Sequence, residues 1–374
     1  MNETLLTWIV FILAFGGMVL IHELGHFIVA RLCGIEVEEF GIGLPTPKAL
    51  TLFTWQGTRF TLNWLPLGGF VRPKGENDPN VPGGLAAASP WKRLAVLFAG
   101  PLMNLLAAVI IYSIIFNRVG VPDTSRVLVV SVTPDSPAAA AGLRDGDIFI
   151  SGNGQPIQNY DELRVIVDQN VDQPVNFLVD RDGQQVELTA IPRLSDTENR
   201  ALIGVGLGVP FKQRSSWTET LDLGIQYTGY SVRTLISLPA QLIRGTLAPE
   251  QGRIIGLKGI FDILGQSVSH DVQASSESAS GSQQPVSTDP IDQPVRTLEL
   301  LASLTISLGV FNLFPFPALD GGRIIFILPE LLFRRRVSPQ IENLVHGMGM
   351  AVLLLFMIYV NVMDFINPVA VTIP

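Results

Sequence analysis

The run His22-Glu23-Leu24-Gly25-His26 places two imidazoles four residues apart with a carboxylate between them. On a helix, positions i and i+4 share one face about one turn apart, so both rings can reach a single tetrahedral ion. Glu23 then stands beside the ion's water as general base. The chemistry this pattern points to is hydrolysis, because zinc lowers the pKa of its water toward about 7 and polarises a carbonyl. A catalytic zinc site needs a third protein ligand and an open fourth position. The chain has four histidines and one cysteine, so the search is short. His270 falls in a Ser/Gln-rich stretch. His346, at the entrance of the last apolar segment, reads as an interfacial or internally satisfied histidine. Asp320 is the better candidate, in Asn312-Leu313-Phe314-Pro315-Phe316-Pro317-Ala318-Leu319-Asp320-Gly321-Gly322. Its two prolines break a helix and open backbone toward a cavity, which lipid tolerates only where protein or water lines it. The plainer reading of Asp320 is a cap on the helix that follows.

The histidine motif abuts an uncharged helix, and three ionisable side chains at membrane depth are expensive enough to default to function. Composition agrees with that setting. Of 374 residues, 47% are apolar and only 16% charged, against roughly 25% charged in soluble domains. The formal charge of −8 offers no basic excess for a phosphate backbone, so nucleic acid is disfavoured as a partner. A single cysteine, Cys33, excludes an internal disulfide and any multi-cysteine metal site.

The elements that would position these groups are unevenly apolar. Four membrane segments are expected: Leu5–Ile21, Leu94–Phe116, Leu300–Leu319 continued by Ile324–Phe333, and Met348–Met363. The first lacks a basic start and a small-residue cleavage site, so it reads as a retained helix. Thr51–Trp64, centred on Gln56-Gly57, reads as a β-hairpin extended by Leu65–Val71. It is either membrane-associated or part of a small sheet packed on helices. Pro79–Pro90 reads as a linker. Between about 120 and 210 the pattern changes to short strands and turns, with Asn153-Gly154 and Asp182-Gly183 as turn signals, giving one small α+β domain. Ser216–Arg244 has the spacing of amphipathic helix, and Ser267–Val295 has the composition of a disordered loop. Arg31, Arg72, Lys74, Lys92 and Arg93, with Arg334-Arg335-Arg336, place those connections on the cytoplasmic side and the soluble insert on the other.

At its pair of motifs the chain resembles the site-2 protease family of intramembrane zinc metalloproteases, in particular the bacterial branch that includes the regulator of sigma-E protease. The resemblance rests on His22 to His26 and on Asn312 to Gly321, with Phe98-Ala99-Gly100-Pro101-Leu102-Met103-Asn104 similar to the family's second core helix. Ser136-Pro137-Ala138-Ala139 and Ala141-Gly142-Leu143-Arg144-Asp145-Gly146-Asp147 resemble a PDZ domain. The resemblance implies Zn2+ held by His22, His26 and Asp320, with Glu23 as catalytic base and Asn312 holding the substrate backbone. It also implies that the Gln56-centred hairpin pairs with an unwound substrate strand. The chain departs from relatives in carrying one PDZ-like unit, a longer Ser/Gln loop, and no proline in Gly256-Leu257-Lys258-Gly259.

The expected architecture is a multi-pass α-helical membrane protein with about four transmembrane helices, a membrane-associated β-hairpin and an inserted α+β PDZ domain. Its parts are 1–116 (membrane core, first part), 120–210 (PDZ), 211–296 (amphipathic helices and disordered Ser/Gln loop) and 297–374 (membrane core, second part). The expected activity is zinc-dependent intramembrane endopeptidase action on single-span membrane proteins, such as anti-sigma factors or signal-peptide remnants. The expected surroundings are a lipid bilayer, the bacterial inner membrane, with peptide C-termini or trimmed substrates at the PDZ domain. The alternatives are a non-catalytic scaffold or zinc-binding PDZ protein, which has no need of Glu23, and a metal or ion transporter, for which no inverted repeat is found.

Overall fold

The computed structural model describes residues 3–45, 48–65, 68–195, 200–212, 216–245, 254–279 and 294–367. Along the chain these form α1 (Glu3–Leu32), β1 (Val37–Ile42), β2 (Lys48–Trp55), β3 (Thr58–Asn63), β4 (Gly69–Pro73) and α2 (Pro90–Val119). A second series follows: β5 (Val121–Pro122), β6 (Val127–Val132), α3 (Pro137–Ala141), β7 (Ile148–Gly152), β8 (Gln155–Pro156), α4 (Tyr160–Gln169), β9 (Val175–Arg181) and β10 (Gln184–Ala190). It ends with β11 (Arg193–Ser195), β12 (Arg200–Leu202), β13 (Val205–Gly208) and β14 (Phe211–Lys212). The helices α5 (Trp217–Arg244), α6 (Leu257–Ala279), α7 (Arg296–Asn312), α8 (Asp320–Phe333) and α9 (Pro339–Ile366) complete the chain. Two compact units result: the first holds residues up to Ile114, Leu221–Gln273 and those from Val295 on, and the second holds Ile115–Thr220 and Ala274–Pro294.

In the first unit, three helices among the described residues are long and apolar enough to cross a membrane: Thr4–Leu32, Pro90–Val119 and Pro339–Ile366. At a rise of 1.5 Å per residue even the shortest measures about 42 Å, against a hydrocarbon core of about 30 Å. The third expected segment is instead divided. Its first part, α7, has 17 residues and ends at Asn312, and its second, α8, has 14 and starts at Asp320. Pro315 and Pro317 lie in the break, and Ala318 adopts φ 78° there. Each proline lacks the N–H that helix continuation needs, so the interruption is covalent in origin.

Close approach of α1 and α2 depends on glycine. A Cβ at Gly25 would overlap the Ala99 carbonyl oxygen and lie 2.7 Å from Met103 Cγ. The other side of α1 packs Phe27 and Ala30 with Ile35, Val37, Phe40, Leu85 and Val96. Phe60 joins that cluster from the sheet.

The sheet of this unit has the order β2-β3-β1-β4. The Gln56-Gly57 hairpin is present as β2 and β3, with φ 48° and 82° at the two turn residues, the positive pair that a twisted two-residue hairpin requires. Leu65–Val71 does not extend it: β4 pairs antiparallel with β1, which itself runs parallel to β3. The hairpin therefore belongs to a small sheet, with β2 and β4 as its edges. Edge strand β2 exposes Leu50, Leu52, Phe53 and Trp55. Pro79–Pro90 is tied down, since Leu85 and Ala86 donate to the Lys74 and Gly75 carbonyls and are themselves buried.

The expected disordered loop is corrected over residues 267–279, which continue helix α6. Residues 280–293 lie outside the described residues. Ser267 donates back to the Ile263 carbonyl one turn earlier, and the start of the helix is satisfied from α9. At its start, Gly256 and Gly259 N–H donate to buried Asp364 of α9 at 2.8 and 3.1 Å. Near its end Asp271 accepts from Arg296 and Thr297 N–H, capping α7. These are donors that a helix start leaves orphaned. Ser216–Arg244 forms one helix, α5, with Trp217, Leu221, Ile225, Tyr230 and Leu242 exposed.

The second unit is an antiparallel sheet of order β10-β9-β7-β6-β13, with β8 pairing β7. Val127, Val129, Phe149, Phe177 and Val179 fill its core with Leu163 and Ile166 of α4. Both expected turns are present, with positive φ at Asn153, Gly154, Asp182 and Gly183. Ser136 and Asn159 cap α3 and α4. Asp147, fully buried, receives two parallel bonds of 2.7 Å from Arg181 and one of 2.9 Å from Arg144 N–H. The hydrogen bonds to Asp147 push the Arg181 guanidinium's pKa further up.

Two substitutions test these packings. Gly25→Ala is expected to force α1 and α2 apart at a cost of about 1–3 kcal/mol, read as a lowered thermal midpoint of the detergent-purified chain. Asp147→Ala, which leaves Arg181 with the Gly142 carbonyl but without its carboxylate, is expected to destabilise the second unit by about 3 kcal/mol. Urea-dependent proteolysis of that unit measures it, and an unchanged midpoint would remove the pair from the account.

Candidate metal centre

His22, Glu23 and His26 come from α1, Asn312 from the last residue of α7, and Asp320 from the first residue of α8. All five line one cavity of about 330 Å³. His22 lies ten residues before the end of α1, about 15 Å along its axis. The site is therefore well inside a spanning helix.

The helical spacing does what the motif requires. His22 Nε2 and His26 Nε2 stand 3.1 Å apart, and Asp320 Oδ2 lies 3.1 Å from the first and 3.3 Å from the second. Asp320 Oδ2 is buried, yet its contacts with the two rings are not aligned as hydrogen bonds. Three lone-pair atoms converge on a common point instead. Tetrahedral ligands at about 2.0–2.1 Å from zinc stand about 3.3 Å from one another, so this donor set fits such an ion without rearrangement. The capping alternative for Asp320 does not describe its side chain: the N-cap of α8 is Leu319, and no side chain caps it.

The surroundings orient the donors. His26 Nδ1 donates to the Val96 carbonyl at 2.7 Å, which leaves its Nε2 lone pair toward the convergence point. Gly100 of α2 faces both rings; a Cβ there would overlap His26 Nε2 and lie 2.8 Å from His22 Cε1. Glu23 Oε2 accepts the Val71 N–H at 3.0 Å, so β4, and not the Gln56 hairpin, borders the carboxylate. Asn312 lines the cavity at its α7 side. An Arg323–Glu76 ion pair forms another part of the wall.

Of the remaining histidines, His270 lies on α6, 3.5 Å from Asp271 Oδ1, and does not line the cavity. His346 accepts the Ala318 N–H at 2.9 Å, holding the turn two residues before Asp320. Sequence reasoning had read His346 as an interfacial or internally satisfied histidine, and its imidazole accepts from the backbone of the turn. It had left Val71, Gly100 and Asn104 without roles. The first two act through a backbone group and through a missing side chain, which carry no residue-type signal. Asn104, buried on α2 with its amide nitrogen 3.3 Å from His22 Nδ1, did carry one: an uncharged polar residue within an apolar span.

The chain is similar over nearly its whole length to several bacterial proteins. It is 31% identical over 387 residues to a protein of Brucella suis biovar 1 named as a zinc metalloprotease, covering 96% of this chain and 95% of that one. A Clostridium perfringens protein named likewise is 31% identical over 359 residues, covering 96% and 98%. The metalloprotease MmpA of Caulobacter vibrioides is 29% identical over 377 residues, covering 91% of each. Among solved structures, the PDZ domain of an SdrC-like protein from Listeria innocua matches 22% of this chain and 91% of that one, at 24% identity and a TM-score of 0.20. The profile of Peptidase family M50 matches residues 10–356. A match of that extent, over a chain whose histidine and aspartate donors already converge on one point, means that the chain belongs to peptidase family M50, the site-2 protease family of zinc metalloproteases.

Proposed function

We propose that the chain is an intramembrane endopeptidase in which His22, His26 and Asp320 hold Zn2+ and Glu23 is the general base. Its substrates are single-span membrane proteins, cut in or near their transmembrane segments. The observation that carries this reading is the position of the donor set: Nε2, Nε2 and Oδ2 within 3.3 Å of one another, well inside an apolar helix of 30 residues. A cleft at that depth is reached by a peptide that is itself in the bilayer. The broken segment α7–α8 serves as the fourth membrane element, its irregular backbone bordering the cavity through Asn312, Ala318 and Asp320.

Bound zinc supplies Lewis acidity, polarising the scissile carbonyl and acidifying water. Glu23 takes a proton from the attacking water and returns it to the departing amide nitrogen. The Val71 N–H fixes that carboxylate, and Asn312 offers its amide to the substrate backbone. A transmembrane helix hides its peptide bonds, so the substrate must unwind first. The free edge of β4, beside Glu23, is suited to hold the unwound strand extended by backbone pairing. The exposed apolar side chains of β2 suit the far edge of the same sheet to lipid contact.

Orientation follows from the cations. Lys92 donates to the Cys33 carbonyl, Arg93 pairs with Glu330, and Arg336 donates to the Ala86 carbonyl. These contacts gather the end of α1, the start of α2 and the end of α8 at one level, rich in positive charge. By the positive-inside rule that level is cytoplasmic, in a bacterial inner membrane, and α2 then leads to the insert on the opposite side. The insert, a PDZ-like domain, acts as a filter for substrates already trimmed outside the membrane, as in regulated intramembrane proteolysis.

Glu23→Gln is expected to keep zinc and fold while lowering cleavage of a membrane-anchored reporter by about 10²–10⁴-fold. Undiminished cleavage in that variant would end this reading. Gly100→Ala places a methyl among the two imidazoles. It is expected to lower zinc content and cleavage together, read by metal analysis of the purified chain alongside the same reporter.

A further inference from the structure

His26 and His22 make their second hydrogen bonds to different kinds of partner. His26 Nδ1 faces a carbonyl, which can only accept, so its tautomer is set by the backbone. His22 Nδ1 faces the amide of Asn104 at 3.3 Å, and an amide can donate or accept according to how it is turned. Asn104 is fully buried on α2, one turn beyond Gly100, and its Oδ1 has no hydrogen-bond partner. A buried amide oxygen left without a partner in an apolar span costs free energy.

Metal chemistry decides which way the amide serves. If Nδ2 donates to His22 Nδ1, that nitrogen must present its lone pair, and a neutral ring then carries its proton on Nε2. Nε2 is the atom that points at Asp320 and His26, where the ion would bind. With the amide turned by 180° about its last torsion, Oδ1 accepts the Nδ1 proton and Nε2 is free to ligate. One end of the amide lacks a partner in either orientation, so hydrogen bonding to the protein does not favour the wrong one.

We propose that Asn104 is a positioning residue that holds His22 in the Nδ1–H tautomer and so presents its Nε2 lone pair to zinc. The inference rests on His22 being a zinc ligand, as argued above. The partner of a ligating imidazole typically contributes about 10–100-fold to metal affinity.

The test is zinc affinity of the full chain in detergent, by competition with a chromophoric chelator. Asn104→Leu, close in size and unable to accept, is expected to weaken binding about 10–100-fold. Asn104→Asp can accept but not donate, and is expected to bind zinc at least as tightly as the wild type. In the His22→Ala background, Asn104→Leu should produce no further loss, because Asn104 acts through that ring. Wild-type affinity in Asn104→Leu, or a loss in the His22→Ala background as large as in the wild type, would overturn the proposal. If Asn104→Leu fails to fold, Asn104→Asp still decides: weakening to the level of His22→Ala shows that donation or packing, not acceptance, is what the position supplies. Failure of zinc to bind the wild type at all would instead remove the metal reading on which the inference stands.

Discussion

Lipid offers no hydrogen bonds, so every polar group taken into the bilayer must find its partner inside the protein. Much of the first unit follows from that constraint. Along most of their length its spanning helices satisfy it with apolar side chains and their own backbone ladders, Pro101 of α2 and buried Asp364 of α9 being exceptions. The donor set violates it deliberately: two imidazoles and two carboxylates stand where each would be costly alone. They are tolerable because they face one another and because the contacts around them are specific. The Val96 carbonyl takes the His26 proton, and the Val71 N–H meets Glu23. Even so, Asp320 Oδ2 and Asn104 Oδ1 remain buried without an aligned partner. Those residual costs sit at the convergence point and one residue behind it, where a cation would remove the first.

The break between α7 and α8 is governed by the same rule. Pro315 and Pro317 end one helix, and the strained Ala318 turn precedes the next, yet the segment is not left to lipid. Ala318 N–H is taken by His346 of α9, and Phe316 and Leu319 N–H find carbonyls within the turn. A positive φ at a residue with a Cβ costs of order 1 kcal/mol and persists only where surroundings impose it. Here the imposing groups are a histidine and two helix ends, and the result is a carboxylate delivered to α1 from the far end of the chain.

How much of this was legible in the sequence depends on where the information resides. The His22-to-His26 spacing encodes a shared helix face, and the structure places both rings together. Asn312 came only from the resemblance to the family, whereas Asp320 was found because proline breaks are visible in any sequence. The Gln56-Gly57 and Asp182-Gly183 turns were legible for the same reason, since few residues adopt positive φ. What stayed hidden was non-local. Nothing in Val37–Ile42 says that it pairs with both β3 and β4, so the hairpin could not be recognised as the far side of a four-stranded sheet. The helical stretch 267–279 was hidden by its serines. Their composition argues against order, but they continue a helix whose start is held by Asp364, and Ser267 bonds to a carbonyl one turn back.

The supply of donors has a consequence for how the unit coheres. Two come from one continuous helix and one from the mouth of a broken segment, so a bound ion would cross-link parts of the chain that local sequence does not join. Binding free energy spent at such a point is also folding free energy, because the unfolded chain has no preformed site. The helix α1 loses little freedom when it binds, since its two imidazoles are already one turn apart. The break between Asn312 and Asp320 has more to lose, being held otherwise by a histidine acceptor and its own short turns. Metal binding at the proposed site would therefore stabilise the irregular element more than the regular ones. In the proposed function that element also stays open to a substrate strand, and anchoring it through the ion would fix its carboxylate end while leaving the Asn312 end facing the cavity.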